Sequence, residues 1–80
     1  MKLSKTQLTI LRRLDGGDVV EYVRPPIDRF VWVGDLLPNP RKRSIEILVN
    51  FGLVKVEQDA WWGKSYIITF AGRDYLESLE

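Results

Sequence analysis

The chain has 80 residues, 45% of them hydrophobic, and its twelve basic and eleven acidic residues give a net charge of +1. It contains neither cysteine nor histidine, which excludes disulfides, thiolate or imidazole metal sites, and Ser-His or Cys-His nucleophilic pairs. The length predicts a single domain over residues 1–80, and no stretch approaches the ~20 apolar residues of a membrane helix. We therefore expect a cytoplasmic, non-enzymatic binding domain that uses no cofactor and contacts no membrane.

The first predicted helix begins at about Ser4 and ends at about Leu14. Ser4 is a suitable N-cap, and Gln7, three residues later, completes a capping box. Leu3 and Leu8 occupy the two positions of a hydrophobic staple, and a glycine pair follows the helix as a stop signal.

β-Branched and aromatic residues dominate the next stretch and predict a β-hairpin. Residues 18–24 and 29–33 have this composition, and the segment Pro25-Pro26-Ile27-Asp28 separates them as a turn. We expect Leu36 and Leu37, which follow the hairpin, to form one short turn.

The second helix is predicted from Pro40 to Phe51, with Asn39 as its N-cap and Gly52 as its stop. Three apolar side chains at helical spacing should face the core, namely Ile45, Leu48 and Val49. The outward face would then carry Arg43, Glu46, Ile47 and Asn50.

Two antiparallel strands are predicted at residues 53–57 and 65–69, joined by a loop over residues 58–64. Thr69 can cap a last helix from Phe70 to about Leu79. This helix should bury Phe70, Leu76 and Leu79, and Gly72 inside it is expected only where a close backbone approach requires it. Among the large aromatic residues we assign five to the core: Tyr22, Phe30, Trp32, Phe51 and Phe70.

Two segments resemble the winged-helix family of small bacterial and phage proteins. Residues 44–54, Ser-Ile-Glu-Ile-Leu-Val-Asn-Phe-Gly-Leu-Val, resemble a recognition helix that runs into the first wing strand. Residues 66–76 contain the pattern Thr-x-Ala-Gly-Arg-x-x-Leu, which is typical of a second wing strand that turns into a C-terminal helix. The resemblance covers residues 39–80 best. It implies an α+β winged helix in the order helix, β-hairpin, helix, two-stranded wing, helix. The hairpin is a departure, because the family usually has a full second helix there.

A basic cluster at the start of the second helix is the first candidate site. Arg41, Lys42 and Arg43 oppose the helix dipole, so helix stability does not explain them, whereas phosphate binding would. Arg43, Ser44 and Asn50 suit contacts with base edges. An exposed Ile47 suits a protein interface equally well.

The adjacent Trp61 and Trp62 are the second candidate site, with Lys64 beside them as a phosphate contact. We expect one tryptophan to pack on the core and the other to be exposed, where it could stack on a base or anchor a partner protein. The resemblance implies a DNA-binding module. This would be a small transcriptional regulator of a bacterium, phage or mobile element. It would bind double-stranded DNA and could do so as a homodimer. The alternative is a stand-alone protein-interaction module, such as a phage-encoded inhibitor or adaptor of a host protein.

Overall fold

The computed structural model describes residues 2–34 and 39–79. The described residues form three helices and four strands: α1 (Lys5–Asp15), β1 (Val20–Val23), β2 (Arg29–Trp32), α2 (Lys42–Asn50), β3 (Val54–Ala60), β4 (Gly63–Ile68) and α3 (Phe70–Ser78). The predicted α+β class is therefore confirmed. The short turn predicted at Leu36 and Leu37 lies outside the described residues.

The four strands form one antiparallel sheet in the order β2-β1-β4-β3. Strand β1 is central, so that Tyr22 pairs with Phe30 on one side and with Lys64 on the other. The winged-helix order is not confirmed, because the β1–β2 hairpin stands where that family usually has its second helix. The β1–β2 hairpin joins the same sheet as β3 and β4, which the sequence pattern did not predict.

Helix α1 starts as its sequence predicts. The Gln7 amide donates to Ser4 Oγ at 3.2 Å, and the Ser4 amide donates to Gln7 Oε1 at 2.9 Å, which completes the capping box. Leu3 is buried and Leu8 is half-buried against the core, as a hydrophobic staple requires. The buried core joins this helix to the sheet and to the other helices through Leu3, Ile10, Leu11, Leu14, Val20, Phe30, Trp32, Ile45, Leu48, Leu53, Val54, Ile68 and Leu76.

Helix α2 begins later than predicted. Its N-cap is Arg41, and Asn39 is exposed two residues before that cap, so the predicted Asn39 cap is wrong. Tertiary contacts outweigh the local cap preference here, because Lys42 bonds to Asp28 and Ser44 is buried in the first helical turn.

The buried stripe of α2 also differs from the prediction at one position. Ile45 and Leu48 are fully buried as predicted, but Val49 is 37% exposed, and Ser44 is the third buried residue instead. Residues 44, 45 and 48 lie on one side of a helix of 3.6 residues per turn. Val49 therefore lies at the edge of this stripe, and Ile47, predicted to point outward, is half-buried at the opposite edge.

Helix α2 ends in a Schellman motif, with Gly52 at the stop position that the sequence predicts. Gly52 has a φ of +76° and its amide donates to the Val49 carbonyl at 2.9 Å. The Leu53 amide donates to the Leu48 carbonyl at 3.0 Å, and the Leu53 side chain is buried. Phe51, however, is 45% exposed as the C-cap residue, so its predicted core position is wrong.

Strands β3 and β4 are longer than predicted. Their pairing continues to Ala60 and Gly63, which leaves only Trp61 and Trp62 as the turn, so the predicted loop over residues 58–64 is wrong. A β-bulge between Val56 and Gln58 lets the ladder continue past the middle of β3.

Thr69 joins the start of α3 to the end of α2. Its hydroxyl accepts from the Gly72 amide at 3.0 Å and donates to the Gly52 carbonyl at 2.7 Å. The side chain of Leu76 is buried as predicted, whereas Phe70 is 85% exposed and Leu79 is 48% exposed, so these two core predictions are wrong. Phe70 is the first residue after the cap, and the close packing of α3 occurs two residues later, at Gly72.

Candidate functional site

The start of α2 is fixed against the end of the β1–β2 hairpin by three side chains. Lys42 Nζ donates to Asp28 Oδ1 at 3.1 Å and lies 6.0 Å from the ring centroid of Tyr22. The Tyr22 hydroxyl also donates to Asp28. Asp28 has a φ of +49°, a left-handed conformation that aspartate adopts more readily than most residues.

These bonds shift the ionisation of all three groups. The hydrogen bond to Asp28 raises the pKa of Tyr22, because the neutral phenol is the donor. Hydrogen bonds from Tyr22 and Lys42 lower the pKa of Asp28, and the bond to Asp28 raises the pKa of Lys42. Lys42 is therefore paired with a carboxylate of the same chain at the protein surface.

Arg41 and Arg43, on either side of Lys42, differ from it because no carboxylate is paired with them among the described residues. Both are exposed, and within the described residues neither makes an ion pair or a side-chain hydrogen bond. Arg41, the N-cap, has an extended backbone and its side chain caps no amide. The first amide of this segment with a helical partner is that of Ile45, which donates to the Arg41 carbonyl. Two uncompensated guanidinium groups thus lie at a helix start that has no side-chain cap, an arrangement that favours anions.

A groove separates this helix start from α1. Its volume is about 370 Å³, and eight residues of α1, β2 and the segment before α2 line it: Thr6, Thr9, Ile10, Arg13, Trp32, Asn39, Pro40 and Arg41. Arg13 stacks over the Trp32 ring at 4.1 Å and bonds Asp18 at 2.9 Å, so it forms a fixed wall of the groove. Arg41 thus lines a depression whose surface is mostly apolar.

The turn between β3 and β4, which we call the Trp turn (Trp61 and Trp62), is the second part of the site. Trp61 is 89% exposed and Trp62 is 38% exposed, so the expectation that one of them packs in the core is wrong. Both tryptophans lie in a two-residue turn rather than on a strand, which removes the alternation of faces on which that expectation depended.

Arg24 holds the Trp turn in place. Its backbone amide donates to the Trp62 carbonyl at 3.3 Å, its Nε donates to the Ala60 carbonyl at 3.4 Å, and its Nη2 bonds Asp59 Oδ1 at 2.8 Å. Sequence reasoning missed this role. The signal was the pairing of β1 with β4, which places the residue after β1 beside the turn, and a single sequence does not reveal that pairing.

The basic helix start and the Trp turn lie at the same end of the sheet. Lys42 sits over Tyr22, and Tyr22 is paired with Lys64 on the neighbouring strand, two residues from Trp62. Directly paired residues share a face of a sheet, so Lys64 points to the side of the sheet that α2 covers. With a rise of about 3.3 Å per residue, the Trp turn begins about 7 Å beyond Lys64.

The remaining predicted site residues are spread along α2. Ser44 is buried, which removes it from any base-contacting surface, and Ile47 is half-buried. Asn50 is exposed but lies at the far end of the helix, about 12 Å from Lys42 at a rise of 1.5 Å per residue. There it borders a second, smaller depression of about 140 Å³ together with Glu46.

No protein-family model matches the chain, and no curated protein and no solved structure matches it either. Among residues 2–34 and 39–79, no helix has the length and apolar character needed to cross a bilayer. In the same residues, histidine, cysteine and carboxylate side chains do not gather into a group of three or more that could hold a metal ion.

Proposed function

We propose that this domain binds double-stranded DNA through the exposed start of α2, as a small regulator of winged-helix type. The observation that carries the proposal is the pair Arg41 and Arg43, two uncompensated cations at a helix start that has no side-chain cap. A phosphate placed there would meet the backbone amides of the first helical turn and a guanidinium group beside them.

Lys42 supports the proposal by orienting the helix start rather than by binding phosphate. Because Asp28 compensates it, Lys42 fixes the helix start relative to the sheet, and the phosphate contacts fall to its two neighbours. An interface positioned by such contacts carries little sequence information by itself. Base contacts on this surface would come from Arg43 and, further along the helix, from Asn50.

The β3–β4 hairpin has the place of a wing in this proposal. It extends from the same end of the sheet as the basic helix start, and Lys64 offers it a cation for an adjacent phosphate. The Thr-x-Ala-Gly-Arg-x-x-Leu segment, residues 69–76, supports the winged-helix assignment through its resemblance to that family. The proposal does not depend on a second helix in the usual position, because the proposed binding surface consists of the basic helix start and the β3–β4 hairpin.

The test compares two double variants that remove the same charge. R41Q/R43Q changes the helix start, whereas R29Q/K55Q changes two exposed residues that alternate with buried Phe30 and Val54 and therefore lie on the opposite face of the sheet. Binding to a labelled random-sequence duplex is measured by fluorescence anisotropy at about 50 and about 200 mM salt.

We expect R41Q/R43Q to weaken binding at least about tenfold and to reduce the logarithmic salt slope by about two. R29Q/K55Q should stay close to the unmodified protein. Equal effects of the two variants would refute the assignment of the site.

One observation favours a second function, a protein-interaction module, namely the 89% exposure of Trp61. Absence of DNA binding by the unmodified protein at the lower salt concentration would favour this second function over the first.

A further inference from the structure

The sequence of the Trp turn is not explained by the turn itself. Two-residue hairpin turns favour asparagine, aspartate and glycine, whose backbones tolerate the required angles. Tryptophan contributes nothing of this kind, and Trp61 leaves 89% of its surface exposed rather than adding it to the core of a small domain. A residue that serves neither the turn nor the core is available for a ligand.

The turn also presents Trp61 on a fixed backbone. The residues on both sides of it, Ala60 and Trp62, have their carbonyls bonded to Arg24, which is itself anchored to Asp59. Because the backbone is held before binding, little ordering of the chain opposes a contact made by the indole ring. The ion pair with Arg24 also compensates Asp59, which would otherwise repel a polyanion near the turn.

We propose that Trp61 stacks on an exposed nucleobase, so that the preferred ligand is duplex DNA with an adjoining unpaired strand. This inference rests on the proposed DNA binding and adds a ligand class to it. The Trp turn and the basic start of α2 lie at the same end of the sheet, so one nucleic-acid ligand that reaches along this end can contact both. Base faces are hidden within a continuous duplex, whereas an unpaired strand exposes them to aromatic side chains.

The experiment uses two labelled DNA probes with the same duplex length, one blunt and one with a short single-stranded overhang. W61A is compared with F70A, which removes an equally exposed aromatic ring, 85% accessible, from the first residue of α3. Neither side chain belongs to the core, so both variants should fold, and a thermal unfolding curve verifies this.

The unmodified protein and F70A should bind the overhang probe more tightly than the blunt probe. W61A should lose this preference through a fall of about five- to hundredfold in affinity for the overhang probe, with little change for the blunt one. W61F should keep part of the preference, because a phenyl ring still stacks.

Two results would overturn the inference: equal affinity of the unmodified protein for both probes, or a preference that W61A retains. In either case, salt-dependent binding of the blunt probe that needs Arg41 and Arg43 would leave the proposed function standing. Absence of binding to both probes would overturn both proposals.

Discussion

The ammonium group of Lys42 lies 6.0 Å above the ring of Tyr22, and both side chains bond the carboxylate of Asp28. This contact joins the first residue of α2 to β1, one of the two inner strands of the sheet. It therefore orients the helix start without using Arg41 or Arg43, which remain directed at solvent. The proposed binding surface is thus positioned by Lys42 and completed by its two neighbours, Arg41 and Arg43.

This cluster predicts a pH dependence of stability that depends on Asp28. The pKa of Asp28 is lowered in the folded protein. The contribution of Asp28 to folding stability is therefore complete well above its ordinary pKa of about 3.9, and it is lost as the pH falls through the lower pKa of the folded state. Asn tolerates the left-handed backbone of residue 28, so D28N should remove the contribution without straining the turn.

Thermal unfolding of the protein and of D28N should be followed from neutral to acidic pH. The difference in melting temperature should be constant above about pH 5 and should shrink towards zero at lower pH. A difference that grows on acidification would show that Asp28 does not act through its ionised form.

Local signals predicted most of the secondary structure. Three helix boundaries are marked by bonds between residues close in sequence. They are formed by Ser4 with Gln7, by Gly52 with Leu53, and by Thr69 at the start of α3. The start of α2 was mispredicted because a contact from a distant residue, Asp28, decides it. Phe70 was mispredicted for a related reason, since hydrophobicity alone does not indicate which side of a helix start meets the core.

Gly72 lies where α3 crosses the start of β3. A Cβ atom at this position would lie 2.4 Å from the Leu53 carbonyl oxygen and 2.6 Å from Cγ1 of Ile68. We expect G72A to lower the free energy of unfolding by about 1–3 kcal/mol, because the backbone of Leu53 has to move. Denaturant unfolding measures this change.

G16A provides the control for this substitution. A Cβ at Gly16 would make ordinary contacts at 3.4 Å or more, and the backbone there has a φ of −78° that alanine adopts freely. G16A should therefore be neutral or stabilising by up to about 1 kcal/mol. Equal losses for the two variants would show that close packing at Gly72 is not the cause.

The buried stripe of α2 predicts opposite outcomes for two neighbouring residues. Leu48 is fully buried, so L48A should lower the free energy of unfolding by about 2–5 kcal/mol. Val49 is 37% exposed, and V49A should change it by no more than about 0.5–1 kcal/mol. Similar losses at the two positions would show that Val49 belongs to the core. The helix would then be rotated about its axis relative to the orientation described above.

The candidate site was predictable only in part. The cluster of Arg41, Lys42 and Arg43 is visible in the sequence because three cations at a helix start oppose its dipole. Their division into one compensated and two free charges depends on Asp28, which the chain brings to Lys42 through the β1–β2 hairpin. The role of Arg24 was unpredictable for the same reason, since it follows from the pairing of β1 with β4.

If the proposed DNA binding is right, the N-cap position of Arg41 predicts that the same substitution raises stability and weakens binding. Arginine there satisfies no helix amide, whereas a serine hydroxyl could accept from the amide of Arg43 or Ser44. R41S should therefore raise the free energy of unfolding by about 0.5–2 kcal/mol and should weaken DNA binding, because one phosphate contact is lost.

R41Q is the matched variant for this prediction, since it removes the same charge but supplies a poorer cap. Both variants should lose a similar factor of DNA affinity and about one unit of salt slope, while only R41S gains the stability of the new cap. Denaturant unfolding and anisotropy titration measure the two quantities on the same samples. If R41S is stabilised and still binds DNA as tightly as the unmodified protein, Arg41 holds the uncapped position for a reason other than phosphate binding.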